Sequence, residues 1–391
     1  MEHIFGLNSS PAPLILVGAC GLLFFIQLYF LYSLYAQVHR ARKPLKGNED
    51  TAQPLPPLSV VIVTKDAGDV LKENLTAILE QDYPDFEVIV VNERPQGTDE
   101  DLLKILSGRY DNLYHTFIPD TARYVSLKKL GIAMGIKASR HEWIVVTEPA
   151  CKPASRYWLR SMAACIRPET DIVLGYCGYD KGKGFFARRM RTDNLFCALR
   201  YLGRALKGHP YMGSGRNLAY RKSCYQSHKG FASQLTLLRG EDDLFVNAIA
   251  TKENTRVCLD PEGFMHMPLP PYKRIWFNDK LTALVTGHYY RGGARFLNAI
   301  DSWTCFLYHL CTVAAIAVSV ALQAGGVAGI ALLLWLARTF LQMQVFTLAA
   351  RDMQEPQSGY FFVFDLLRPL WSLQMQLKYQ MRNKSEFLRK Q

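Results

Sequence analysis

The chain has 391 residues, room for one large domain or two ordinary ones. Its 46 basic and 34 acidic residues give a formal net charge of +12, yet no helix-turn-helix, zinc-finger or RNP-like motif accompanies that charge. Nucleic acid is thereby disfavoured as a partner, and the clustering of basic residues beside apolar segments points to a membrane surface.

The first element is the almost unbroken apolar run Leu14 to Ala36, with Gln27 its one strongly polar residue. As a helix it extends roughly 34 Å at about 1.5 Å per residue, enough to cross a bilayer core. A cleaved signal peptide fits poorly, because no Lys or Arg precedes the run and Arg40, Arg42, Lys43 and Lys46 follow it. By the positive-inside rule the N-terminus lies outside and the chain from residue 40 is cytoplasmic. This makes 1–38 a transmembrane anchor of a multi-pass plasma (inner) membrane protein and 39–57 a basic, polar linker that includes Gly47–Pro57.

Next come five short runs rich in Val and Ile: Leu58–Thr64, Phe86–Val91, Leu113–Ile118, Glu142–Thr147 and Asp171–Tyr176. Such runs are expected of strands buried on both faces. Between them lie helical patterns, Leu71, Leu75, Ile78 and Leu79, then Leu102, Leu103 and Leu106, then Leu127, Leu130 and Met134. The alternation predicts an α/β domain over 58–290, a mostly parallel sheet with helices on both faces. Ligands of such sheets sit at the carboxyl ends of the strands. There the chain carries Lys65 and Asp66, then Asn92 and Glu93, then Glu148. Acidic and polar groups at several strand ends suit a nucleoside and a hard divalent cation on its diphosphate. Nine scattered cysteines without a C-x-x-C pair fit reduced thiols in a cytoplasmic domain.

A second hydrophobic region divides at Gly325 and Gly326 into Trp303–Leu322 and Val327–Ala350, a helix pair over 303–350 that returns the chain to the cytoplasm. Arg338, Gln342 and Gln344 are costly in lipid and are expected to face other helices or a polar cavity. Tyr360–Tyr379, interrupted by Asp365, Arg368 and Pro369, reads as an interfacial helix within 351–391, ahead of the basic tail Arg382, Lys384, Arg389 and Lys390.

Several segments together resemble the membrane-bound bacterial family-2 glycosyltransferases of the GT-A (Rossmann-like) fold. Leu58-Ser-Val-Val-Ile-Val-Thr-Lys-Asp66 is similar to the family's first strand, and Gln81-Asp-Tyr-Pro84 to the end of its first helix. Phe86-Glu-Val-Ile-Val-Val-Asn-Glu93 is similar to the second strand with its acidic nucleotide contact. Ser126–Lys137 resembles the basic helix before the metal motif, Gly213–Arg221 the acceptor-side glycine/asparagine segment, and Gly240–Asn247 the segment with the catalytic base. The resemblance covers roughly residues 57–290. It implies donor contacts from Lys65, Asp66, Glu93, Lys128, Lys129 and Glu148, and a divalent cation, Mg or Mn, at Glu148. It implies acceptor-side roles for Gly213, Gly215, Asn217, Arg274 and Trp276, and a base at Asp242, with Asp243 and Glu241 as alternatives. Acidic residues before Leu244 would also serve as a helix start.

Three departures stand out, the first being Asn92 and Glu93 where the family has two acidic residues after the second strand. The family's D-x-D position reads Glu148-Pro149-Ala150, so one of two acids is a methyl group. The family's Q-x-x-R-W position has Tyr272-Lys-Arg-Ile-Trp276 as its nearest counterpart, followed by Asp279-Lys-Leu-Thr-Ala283. The leading reading is an inverting enzyme moving a sugar from a nucleotide sugar to a membrane lipid or lipid-linked acceptor, in envelope glycan or glycolipid synthesis. The eroded D-x-D position favours the rival reading, a degenerate glycosyltransferase acting as a binding or scaffold subunit. A nucleotidyltransferase is disfavoured, since no P-loop, dinucleotide fingerprint or glycine-rich activation loop occurs. Two C-terminal spans are few for a polymer channel, which favours addition of a single sugar.

Overall fold

The computed structural model describes residues 11–42, 55–94, 98–119, 121, 126–356 and 359–381. Lys43 and Lys46, most of the linker and the basic tail from Arg382 lie outside the described residues. Helix α1 (Ala12–Phe30) continues through a π-helical turn, Leu31–Tyr35, and a helical turn, Gln37–Ala41. Strands and helices then alternate: β1 (Leu58–Thr64), α2 (Gly68–Leu79), β2 (Phe86–Asn92), α3 (Thr98–Ser107), β3 (Leu113–Phe117), α4 (Leu127–Ala138) and β4 (Trp143–Thr147). After them come β5 (Lys152–Pro153), β6 (Ile172–Leu174), β7 (Cys177–Tyr179), α5 (Phe185–Leu206), β8 (Leu218–Arg221), α6 (Asp243–Ile249), β9 (Thr255–Val257), β10 (Met265–Met267) and α7 (Lys273–Gly287). The last three helices are α8 (Ala294–Ala321), α9 (Gly325–Asp352) and α10 (Phe361–Met381).

The main sheet has seven strands in the order β3-β2-β1-β4-β8-β6-β9. Val61 on β1 pairs with Ile89 on β2 and Val146 on β4, all three fully or almost fully buried. Every neighbouring pair is parallel except those made by β8, which runs antiparallel between β4 and β6. The sequence reading missed that insertion and made its fifth strand, Asp171–Tyr176, too long. It also took the third strand as buried on both faces, whereas β3 is the sheet edge and Tyr114 is exposed. Leu71, Leu75, Ile78 and Leu79 of α2 are buried as expected. Helix α4 approaches the sheet so closely that a Cβ at Gly135 would lie 2.5 Å from Val61 Cγ1, so only glycine fits there. A smaller sheet, β5-β10-β7, completes the domain.

Helix α5 has no counterpart in the sequence reading. It crosses the end of the N-terminal helix at Gly203, where a Cβ would lie 2.1 Å from the Leu34 carbonyl oxygen. That contact falls within the π-helical turn, where the widened backbone departs from regular α geometry. Helix α5, which also packs on β7 and β9, thereby links the α/β domain to the N-terminal helix.

Three helical segments are long and apolar enough to cross a membrane: Ala12–Tyr35, Ala294–Ala321 and Gly325–Asp352, with mean hydropathies of 2.4, 1.8 and 1.5. The break between the last two falls at Leu322–Ala324, with Gln323 at φ 55, so Gly325 and Gly326 begin α9 and do not form the turn as expected. Arg338 and Gln342 are buried among helices, but Gln344 is exposed, contrary to expectation. Arg338 pairs with Asp365 and donates to Gln27 Oε1 at 2.9 Å, linking α9, α10 and α1. Asp301 on α8 accepts from Tyr35 at 2.7 Å and Arg200 at 3.0 Å. Helix α10 continues through Pro369, with Asp365 paired to Arg338 and Arg368 to Asp301.

Candidate active site

Two neighbouring cavities lie on the side of the sheet that the carboxyl end of β4 faces. The smaller, about 160 Å³, is lined by Lys128, Glu148, Arg216, Arg239, Glu241 and Asp242 among others. The larger, about 650 Å³, lies between α5, α7, α8 and α10 and includes Gly213, Asp242, Asp243 and Trp276. Asp242, Trp276, Asp279 and Lys280 line both.

The smaller cavity is built around Lys128, in the first turn of α4. Its ammonium lies 2.7 Å from Glu148 and 3.0 Å from Glu241, so two elements remote in sequence meet on one cation. Arg216 reaches the other Glu148 oxygen at 3.5 Å. Burial alone would raise the Glu148 carboxyl, but Lys128 and Arg216 hold it well below the usual carboxylate range. Burial likewise opposes the charge on Lys128, while Glu148 and Glu241 raise its pKa. Arg239, one residue before the Gly240-Glu-Asp-Asp segment, pairs with Asp279 at 2.7 Å.

Asp242 sits at the seam of the two cavities and caps α6. Its Oδ1 accepts from the Asp243 amide and its Oδ2 from the Gly215 amide, each at 2.8 Å. Burial and the neighbouring Glu241 raise its pKa. Asp243 points elsewhere: it accepts from Thr286 at 2.5 Å and Tyr290 at 2.9 Å, and burial next to Asp242 pushes its pKa up to about 7. The expected helix-cap role and the half-buried seam position therefore coexist in Asp242, while Asp243 fastens α7 to α6.

The remaining expected residues divide sharply. Gly215 and Trp276 belong to the site, and Gly213 lines its larger cavity. Lys65 and Glu93 pair with each other at 3.6 Å beyond β1 and β2, Asp66 pairs with Arg94 at 3.0 Å, and none of the four lines either cavity. Lys129 is not brought in. Its buried ammonium donates to the carbonyls of Gln234, Leu237 and Arg239 at 2.6, 2.8 and 2.9 Å, and burial lowers its pKa to about 8. Adjacent helical residues point about 100° apart, so Lys128 and Lys129 could not share one target. Asn217 is likewise a core residue, accepting from Trp158 and donating to the Tyr176 and Gly263 carbonyls. Arg274 is exposed outside both cavities. Reasoning from sequence missed Arg216 and Arg239, although both lie inside or beside quoted motifs. It also missed the buried Asp99, which accepts from Thr64 and the amides of Ala67 and Gly68 and so closes the loop after β1.

Among the described residues, one group of three metal-ligand types gathers, Cys305, His309 and Asp365, and there Asp365 is already the partner of Arg338. Near Glu148, Ala150 supplies a methyl, and Glu241 shares Lys128 with Glu148 while its Oε2 has no hydrogen-bond partner.

Residues 59–228 match the family model described as Glycosyl transferase family 2. With that match, the seven-stranded sheet and its paired cavities define a glycosyltransferase of the GT-A fold. Residues 59–228 thus form a domain similar to the family-2 glycosyltransferases, and the chain joins it to three helices apolar enough to span a membrane. The fold is similar to the mannosyltransferase PcManGT from Pyrobaculum calidifontis, solved in complex with GDP-Man and Mn²⁺, at 19% identity and a TM-score of 0.56. That match covers 87% of this chain and 99% of the other. TarS 1–349 from S. aureus, solved in complex with UDP-GlcNAc, aligns over 81% of this chain and 92% of its own at 14% identity, with a TM-score of 0.42. Among curated proteins nothing matches the chain.

Proposed function

We propose that this glycosyltransferase moves one sugar, with inversion, from a nucleotide sugar to a membrane lipid or lipid-linked acceptor in envelope glycan or glycolipid synthesis. The observation that carries the reading is Asp242, whose carboxylate borders a small, charged cavity on one side and a larger, aromatic one on the other. The donor occupies the small cavity with its diphosphate toward Lys128, Arg216 and Arg239. The acceptor hydroxyl enters from the larger cavity. Asp242 takes its proton as the oxygen attacks the anomeric carbon, and the bond from that carbon to the diphosphate breaks. Its raised pKa makes it a stronger base than an ordinary Asp. The departing diphosphate gains negative charge, which fixed cations on the wall stabilise without reorganising.

The oxygen donors at Glu148 suit a hard cation such as Mg or Mn, with the donor's diphosphate and waters completing the shell around a single protein carboxylate. Such an ion would neutralise diphosphate charge, and the one-carboxylate site makes its affinity weak.

Arg40 and Arg42 after the first span support an orientation with the N-terminus outside and the catalytic domain in the cytoplasm, at the inner membrane. Reporters inserted at residue 48 and fused after Gln391 should both read cytoplasmic, and a periplasmic signal at either would break this topology.

Donor-binding calorimetry over a nucleotide-sugar panel, paired with a turnover assay on membrane extracts, tests the reaction. Binding with turnover is expected. Binding without turnover would leave a scaffold whose eroded Glu148-Pro149-Ala150 segment has lost its chemistry.

A further inference from the structure

Arg189 lies on α5 with 8% of its surface exposed, and its Nε is buried without a hydrogen-bond partner. A guanidinium keeps its charge at every physiological pH, so this is a permanent cation inside the protein. Its neighbours are rings: the guanidinium carbon is 4.0 Å from the Trp371 ring centre and 5.2 Å from that of Trp276. Most other cations on this wall have carboxylates, whereas Arg295 is exposed to solvent and donates to the His288 carbonyl. Lys280 pairs with Asp193, Arg239 with Asp279, and Arg200 and Arg368 with Asp301. Among the described residues Arg189 forms no ion pair and no hydrogen bond, although burying such a group without an anion is costly.

All of this occurs on the wall of the larger cavity, the one that also contains Asp242. Its volume of about 650 Å³ falls within the range of small-molecule sites. Another wall is Trp303, half exposed on the membrane-spanning helix α8, so the cavity reaches the apolar surface that lipid would cover. One space thus joins a base, an unpaired cation framed by aromatic rings, and a membrane-facing side.

We propose that the larger cavity binds a phosphate-bearing amphiphile, with the phosphate on Arg189 and the apolar chain leaving past Trp303. This deepens the acceptor reading given above and rests on it for the claim that the amphiphile is a substrate. Guanidinium and phosphate match in geometry, and the flanking indoles exclude water from the contact.

Binding to the full chain in phosphatidylcholine nanodiscs tests this, read by intrinsic tryptophan fluorescence with dodecyl phosphate, dodecyl maltoside and inorganic phosphate as probes. Dodecyl phosphate should bind at least about 10-fold tighter than either other probe, as one charge-assisted contact implies. Arg189→Gln should lose about that factor while Arg189→Lys keeps part of it. Equal binding of dodecyl maltoside would make the cavity a plain apolar groove, and equal binding of inorganic phosphate a site for soluble anions. Either result overturns the proposal, as does unchanged binding in folded Arg189→Gln, which would leave Arg189 a strut of the aromatic cluster. If Arg189→Gln fails to fold, the ranking of the three probes on the wild type still decides. Dodecyl phosphate binding without sugar transfer would sink the glycosyltransferase reading and leave this site standing.

Discussion

Two clusters of basic and acidic side chains differ in what surrounds them. Lys128, Glu148, Arg216 and Glu241 meet on the wall of a cavity, with Lys128 shared between two acids. Arg338 and Asp365, with Gln27 beside them, meet between helices and are almost wholly enclosed. The first set can exchange partners when an anionic ligand enters, because open volume adjoins every member. Beside the second lies a cavity of only about 10 Å³, too small for a nucleotide or sugar, so its charges serve to hold α1, α9 and α10 in register. Composition alone does not separate a site from a strut; the adjoining space does.

The largest expected effect is on the enclosed cluster. Arg338→Met leaves the Asp365 carboxylate buried without its cation, which should cost about 3–5 kcal/mol of stability and lower the thermal unfolding midpoint in nanodiscs. Adding Asp365→Leu should recover most of that loss, because removing both charges removes the penalty. If the single variant is as stable as wild type, Arg338 and Asp365 are not a strut and the contrast collapses.

A smaller effect is expected on the open cluster. Ala150→Asp restores a second acid near Glu148 and should tighten Mn²⁺ binding in the presence of nucleoside diphosphate by about 10-fold, measured by calorimetry. Pro149→Ala combined with Ala150→Asp controls for backbone restriction by the proline. No change in either variant would mean that Lys128 and Arg216 hold Glu148 too firmly to share it with an ion.

The parallel half of the fold was legible because its strands are buried on both faces and read as Val- and Ile-rich runs. Val60, Val61, Ile62 and Val88 to Val91 are all fully buried. Helix α5 was illegible for the opposite reason: Arg189 and Arg204 lie on its buried face, so the apolar period is broken where the packing is densest. Strand β8 escaped because Leu218–Arg221 is short and follows a glycine-rich loop that carried the motif reading instead. Glu148, Lys128, Glu241 and Asp242, singled out from their order in known motifs, line one cavity. Lys129 and Asn217 were misplaced because a motif names positions, and neighbouring side chains on a helix or strand face different ways.

Asp242 is the point at which both cavities and the proposed chemistry meet. The most direct measurement compares donor binding and sugar transfer in Asp242→Asn and Asp243→Asn. Asp242→Asn should keep donor affinity within about 3-fold while transfer falls by about 10² or more, because the amide cannot take the acceptor's proton. Asp243→Asn should bind the donor normally and keep transfer within about 10-fold, since Thr286 and Tyr290 can still donate to an amide oxygen. Wild-type transfer in Asp242→Asn, or a collapse confined to Asp243→Asn, would contradict the assignment of the base to the seam.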